Sequence, residues 1–201
     1  FTSYIDDVAL NVALSLNKVV PNEGAYDDYI RWAATGLEEP LTTHADRFKF
    51  NEGYGVSSYD KGSIFLSQLG YIIGEKNLYK ALRLYFKEWA FKHPRPYDFI
   101  RCAEKVSGLE LDWYLMDWAQ TTKQIDYRVS SFLGEGKKTK VVLRREKQMP
   151  MPLDVEVFLK DGSSLKFTSR SLFTSLSVSE RTSVVGALSE PLPPSMTIEW
   201  F

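Results

Sequence analysis

The chain has 201 residues, 44% of them hydrophobic, enough to bury a core as one large domain or two small ones. Its 25 lysines and arginines stand against 26 acidic residues, and that near balance gives no reason to expect nucleic acid or an acidic membrane surface as partner. Cys102 is the one cysteine, so no internal disulfide forms, and its neighbours Ile100 and Ala103 mark it as a small buried apolar residue.

Taken in order, residues 1 to about 19 place Ile5, Val8, Val12 and Leu16, with Leu10 off the face, at mostly helical intervals, and Pro21 closes the pattern. Residues 8 to 20 are the longest apolar stretch near the start. Asn11, Asn17 and Lys18 interrupt it and no basic leader precedes it, so it is expected to be neither a signal peptide nor a membrane span. The first residue is not methionine, and further sequence is expected ahead of it. Asp6 and Asp7, in the early turns, favour the helix dipole and solvent over a metal. A second helix is expected from about Tyr26 to Leu37, with Tyr29, Ile30 and Ala33 inward. Pro40 then opens an irregular stretch through Tyr54 that holds His44, Asp46, Arg47 and Asn51; a loop of this length is often functional. His44 has no second histidine or cysteine near it and is not expected to bind metal.

A central helix is predicted from Ser58 to about Ile73, with Phe65, Leu69, Ile72 and Ile73 on one side and Gly74 as a left-handed stop. Gly62 and Gly70 lower its helix propensity by about 1 kcal/mol each, which points to another element packing closely there. Leu78, Leu82, Tyr85, Phe86 and Trp89 trace the next helix, ended by His93-Pro94. Pro96 begins a third through Phe99, Ile100, Ala103 and Val106 to Gly108, and a shorter one turns Leu111, Leu115 and Trp118 inward. From about residue 125 the period changes to two. Val141 and Leu143, then Leu153, Val155, Val157 and Leu159, then Leu165 and Phe167 read as antiparallel strands, with Asp161-Gly162 a hairpin turn and the prolines at 150, 152, 191, 193 and 194 at strand ends or edges. The expected fold class is α+β in two parts: a helical part over residues 1–124 and a small antiparallel β-sandwich over 125–201.

The candidate chemistry centres on Tyr59-Asp60-Lys61-Gly62. Ser57 and Asp60 have the spacing of a capping box, which would set Tyr59 on the first turn of the central helix, at the positive end of its dipole. A phenol is protonated at neutral pH and can donate a hydrogen bond to a developing negative charge, although a half-buried packing role fits the same position. Lys61 reads as a solvated or helix-end cation, or as a structural ion-pair partner beside Tyr59.

The run Tyr54-Gly55-Val56-Ser57-Ser58-Tyr59-Asp60-Lys61-Gly62-Ser63 resembles the Tyr-x-Lys-Gly segment of zinc metallopeptidases of the aminopeptidase N family. Phe86-Lys87-Glu88-Trp89-Ala90-Phe91-Lys92-His93-Pro94, Asp98-Phe99, Ser107-Gly108-Leu109-Glu110-Leu111-Asp112-Trp113 and Trp118 agree with the family in order and spacing. The resemblance implies that residues 1–124 are the helical C-terminal part of a thermolysin-like catalytic domain. It also implies that Tyr59 is the catalytic donor to the tetrahedral intermediate, with Tyr54 as a second, substrate-contacting tyrosine or a packing residue. The family's zinc is held by two histidines of H-E-x-x-H and a later glutamate. No H-E-x-x-H occurs here, and the two histidines, His44 and His93, lie far apart. Phe1-Thr2-Ser3-Tyr4 looks like the continuation of the family's Glu-Gly-Phe-x-x-Tyr, so the metal ligands are expected upstream of Phe1. The resemblance thus implies zinc in the full-length parent and none bound to this chain, which is expected to be inactive alone. The implied partners are peptide substrates, the upstream zinc-binding segment of the same polypeptide, and a second copy through uncovered surface. The competing expectation is a non-catalytic binding or scaffolding module on a degenerate peptidase fold.

Overall fold

Apolar residues three and four apart fold the first part of the chain into helices, and alternation shapes the last part into strands. The computed structural model describes residues 1–135, 138–158, 162–168 and 197–199, and the chain divides into two units, Phe1–Thr122 and Lys123–Phe201. The fold class is α+β. No helix among the described residues is long and apolar enough to cross a membrane.

The first unit contains α1 (Thr2–Ala13), α2 (Glu23–Ala34), a short 3-10 turn (Ala45–Arg47), α3 (Asn51–Gly55), a π-helical segment (Val56–Lys61), α4 (Gly62–Ile73), α5 (Glu75–Trp89), α6 (Pro96–Ser107) and α7 (Asp112–Ala119). Helix α4 is the hub, with α1, α5, α7 and the π segment all against it. Phe65, Leu69, Ile72 and Ile73 are buried as the periodicity predicts, but so are Ile64 and Leu66 on the other side, because neighbours surround the helix. Tyr114 of α7 lies wholly inside and donates its hydroxyl to the Phe65 carbonyl at 2.6 Å, which satisfies the one polar atom of a ring that otherwise packs against Phe65 and Trp118. Asn22, buried before α2, donates to the hydroxyls of Ser63 and Ser67 on α4 at 3.0 and 2.9 Å.

Helix boundaries follow local chemistry. Pro96 occupies the first turn of α6, where the Asp98 carboxylate accepts the Arg95 backbone N–H at 2.7 Å, and Gly108 ends the helix in the left-handed region. Gly74 joins α4 to α5 at φ 85 and ψ 138, a positive φ as expected, but in the extended glycine region rather than the left-handed helical one.

Several expectations are corrected. Helix α1 stops at Ala13, well before Pro21, and Ser15 and Asn17 then take positive φ; of its residues only Tyr4 is buried, while Ile5, Val12 and Leu16 are exposed, since nothing among the described residues covers that face. Helix α2 begins at Glu23 and ends at Ala34, and it buries Trp32 while Ile30 faces solvent. Phe86 lies beside the α5 stripe rather than on it and is exposed, and α5 ends at Trp89, before His93-Pro94.

The glycines separate cleanly. A Cβ on Gly70 would meet Leu78 at 2.9 Å, the close packing expected there, whereas on Gly62 the nearest atom is 3.9 Å away and no element crowds it. On Gly53 a Cβ would stand 2.8 Å from the rigid Trp32 ring. Gly53→Ala is expected to lower stability, because overpacking against an indole costs about 1–3 kcal/mol against a propensity gain of about 1 kcal/mol. Gly62→Ala should raise stability by up to about 1 kcal/mol. Denaturant midpoints of the two variants, moving in opposite directions, check the pair.

The second unit holds two antiparallel sheets among the described residues. One pairs β1 (Tyr127–Glu135) with β2 (Lys138–Arg145), with an irregularity between Val129 and Ser131. The other has order β4-β3-β5, with β3 (Asp154–Phe158) between β4 (Ser164–Thr168) and β5 (Thr197–Glu199). Val155 and Val157 are buried in the alternation the sequence predicts, and Val141, Met149 and Met151 join them in the interior. The Tyr127 hydroxyl donates to the Met151 carbonyl at 3.1 Å and accepts its N–H at 2.9 Å, pinning the proline-bounded connection to β1. Gly162 has φ 86, as a hairpin turn requires. Leu159, Asp161 and the prolines at 191, 193 and 194 lie outside the described residues, as does the side chain of Phe167.

Candidate active site

The helix bearing Tyr59 does not start at Ser58. Backbone helix runs without a break from Asn51 through the π segment into α4, so Ser57 and Asp60 have no free helix end to cap, and no side-chain cap forms. Ser57 is instead buried in mid-helix. Tyr59 is consequently not at a dipole terminus, since that effect fades within the first turn. What distinguishes its position is the π segment, a rare widening with i→i+5 hydrogen bonds that is found mostly in single turns and frequently at functional sites.

This helical run has a clear inner and outer side. Gly53, Ser57 and Lys61, four residues apart, form the buried row, with Gly53 under the Trp32 ring of α2. Tyr59, halfway between Ser57 and Lys61 in sequence, projects from the opposite side and is 60% exposed. Tyr54 is 40% exposed and packs edge-on against Phe48, ring centroids 5.6 Å apart, so its nearest aromatic partner is Phe48 and not Tyr59.

Lys61 takes the expected structural ion-pair role and not that of a solvated or helix-end cation. Its side chain is only 1% exposed and its Nζ lies 2.6 Å from Glu38 Oε1, whose own side chain is 4% exposed. The same Nζ donates to the Thr121 carbonyl at 3.1 Å, and the Tyr29 ring lies 5.6 Å away. Tyr29 also donates to Glu38 Oε1 at 3.2 Å; burial, then the Glu38 charge, pushes its phenol well up. Glu38 escaped the sequence reading. The signal was on the partner: Lys61 falls four residues before Phe65 and eight before Leu69, on the apolar row of α4, where a cation needs a buried anion.

The segment read as an irregular loop before Tyr59 is partly ordered by helix ends. The N–H and hydroxyl of Thr42 both donate to the Ala119 carbonyl at 3.0 and 3.1 Å, so this loop takes the last carbonyl of α7, while Lys61 takes the Thr121 carbonyl just beyond the helix. His44 caps the 3-10 turn, its Nδ1 accepting the Asp46 N–H at 3.3 Å.

Carboxylates of three elements approach one another around Asp60. Burial raises its carboxyl above the ordinary range, and Asp28 of α2 and Asp7 of α1 add to the rise. Asp7 is raised in turn, by burial and by Asp6, against the pull of Lys18. A carboxyl raised on folding binds its proton more tightly in the native state, so its contribution is complete below the unfolded value near 4 and is lost as pH rises through the folded value. Asp60→Asn removes that loss. Its melting temperature is expected to exceed wild type at pH 7, with the difference vanishing near pH 3.

The residues present do not fit a zinc site. His44 and His93 are exposed and join no ligand group; the one cluster of potential ligands among the described residues is Glu104, Glu110 and Asp112. Two of those carboxylates already serve the start of α7: Glu104 accepts the Leu111 N–H and Glu110 the Asp112 N–H, both at 2.8 Å.

The model of the Peptidase family M1 domain matches residues 12–118, just over half of the chain and every element from the end of α1 to α7. A comparison with curated proteins gives no match. The match takes in Tyr54, Tyr59, Lys61 and Gly62, the residues around which the geometry above is built, and the chain belongs to peptidase family M1.

Proposed function

We propose that this chain is the helical downstream part of a thermolysin-like catalytic domain, followed by a small antiparallel β-sandwich, in a zinc aminopeptidase that hydrolyses N-terminal peptide bonds. Tyr59 is its catalytic residue. The observation that carries the reading is a phenol on the open side of a π-helical turn whose other side is anchored in the core. As a peptide carbonyl carbon becomes tetrahedral, its oxygen gains negative charge, and a fixed O–H donor aimed at that oxygen favours the transition state over the ground state. Tyr54, earlier on the same helical run and beside Phe48, is the substrate-contacting neighbour in this reading.

The metal ligands of the family are assigned to polypeptide outside this chain, because the sequence has no H-E-x-x-H and the described residues form no ligand group that suits zinc. The exposed apolar side of α1 supports the same assignment: Ile5 and Val12, with Leu16 just after the helix, suit burial against the segment that carries those ligands, or against a second copy in its absence. Purified alone, the 201-residue chain is expected to hold no stoichiometric zinc and to hydrolyse no aminoacyl amide. Elemental analysis after dialysis checks this, and one tightly held zinc per chain would overturn the assignment of the ligands.

A further inference from the structure

We propose that Lys61 and Glu38 are positioning residues, a buried clamp that sets the rotation of the π-helical turn and so the direction in which Tyr59 points. The inference rests on the reading of Tyr59 as the hydrogen-bond donor given above. Successive residues of a helix are about 100° apart, so Lys61 and Tyr59 project from nearly opposite sides of one turn. Holding the first on the inside fixes the second on the outside.

The turn lies in mid-helix, where no side-chain cap fixes it, and i→i+5 bonding is an infrequent departure from the α-helix. Its inner row supplies a glycine under Trp32, a serine and Lys61, and of these only Lys61 reaches beyond its neighbours. Its Nζ is held from two separate parts of the chain, by Glu38 after α2 at 2.6 Å and by the Thr121 carbonyl after α7 at 3.1 Å, with Tyr29 of α2 closing the third side. Glu38 is fixed in turn by the Tyr29 hydroxyl. Such a cation has no slack in any direction.

Stability alone gives a poor reason for this arrangement. Replacing a buried ion pair by apolar residues of similar size is often neutral or better, because two charges need not then be stripped of water. What apolar packing does not reproduce is a fixed length and direction between three points of the backbone.

That contrast supplies the test. In the intact enzyme, Lys61→Met and Glu38→Leu are made together, Tyr59→Phe alone, and all three at once. The paired replacement is expected to keep the wild-type unfolding midpoint and KM yet lose up to about 100-fold in kcat, the scale of an ångström of misplacement. In the Tyr59→Phe background it should lose nothing further. Wild-type kcat in the paired variant, or the same loss in both backgrounds, would overturn the clamp. Should the paired variant fail to fold, Glu38→Gln, which keeps an acceptor for Lys61 and Tyr29 but removes the charge, carries the same readouts. Full turnover in Tyr59→Phe alone would strike the role of Tyr59 instead. The clamp is then judged by hydrogen exchange: amides of residues 56–61 should lose protection relative to α4, and unchanged protection refutes it.

Discussion

Tyr59→Phe in the intact enzyme is expected to lower kcat by about 100- to 1,000-fold with KM little changed, the usual consequence of removing one oxyanion donor. The substitution deletes a single oxygen. Tyr59 is 60% exposed and belongs to no ring pair that the fold relies on, so the ring can stay where it is and stability should be unaltered. An interaction made mainly in the transition state lowers kcat and kcat/KM together, whereas a binding contact raises KM alone. Steady-state kinetics on a peptide and on an aminoacyl anilide separate the two. Wild-type turnover would refute the assignment of Tyr59 as the donor, whereas an intact wild-type protein with no peptidase activity would leave the non-catalytic binding module as the better account of the fold.

Lys61→Met alone is expected to destabilise the first unit by about 3–5 kcal/mol, the range for breaking a buried pair from one side. The reason lies in what remains. Among the described residues Glu38 Oε1 then keeps only the Tyr29 hydroxyl at 3.2 Å, and Oε2 is buried with no hydrogen-bond partner there even in the wild type. A carboxylate in that position, 4% exposed, has neither water nor counter-charge. The Thr121 carbonyl also loses its Lys61 donor. Urea unfolding followed by the helical signal checks the magnitude; a shift within about 0.5 kcal/mol would mean that water already solvates the pair.

Much of the helical unit was legible because its apolar residues recur with one period. The stripe of Leu78, Leu82 and Tyr85, the stop at Gly108 and the inward set Leu111, Leu115 and Trp118 could be read directly, and α6 and α7 lie where the pattern puts them. The family was legible too, through Tyr-x-Lys-Gly and the blocks after it.

The local setting of Tyr59 was not. Ser57 and Asp60 satisfy a four-residue rule for a helix start, yet the preceding Asn51–Gly55 is helical as well, so the rule was met in mid-helix. Two glycines in that segment hid it from a propensity argument, and Gly53 is there for the Trp32 ring rather than for flexibility. The ion-pair role of Lys61 was legible but its partner was not, because Glu38 is 23 positions away on a loop, and a charge on an apolar row shows only that some partner must exist. Helix α1 failed differently, its stripe being real but uncovered among the described residues.

The claim on which the account turns is that the Tyr59 hydroxyl meets the oxygen of the tetrahedral carbon. A crystal structure of the intact enzyme bound to a peptide whose scissile carbonyl is replaced by a phosphinate tests it most directly. The expected result is a Tyr59 hydroxyl about 2.7–3.1 Å from a phosphinate oxygen. A hydroxyl turned to solvent, with that oxygen held wholly by other donors, would contradict the account.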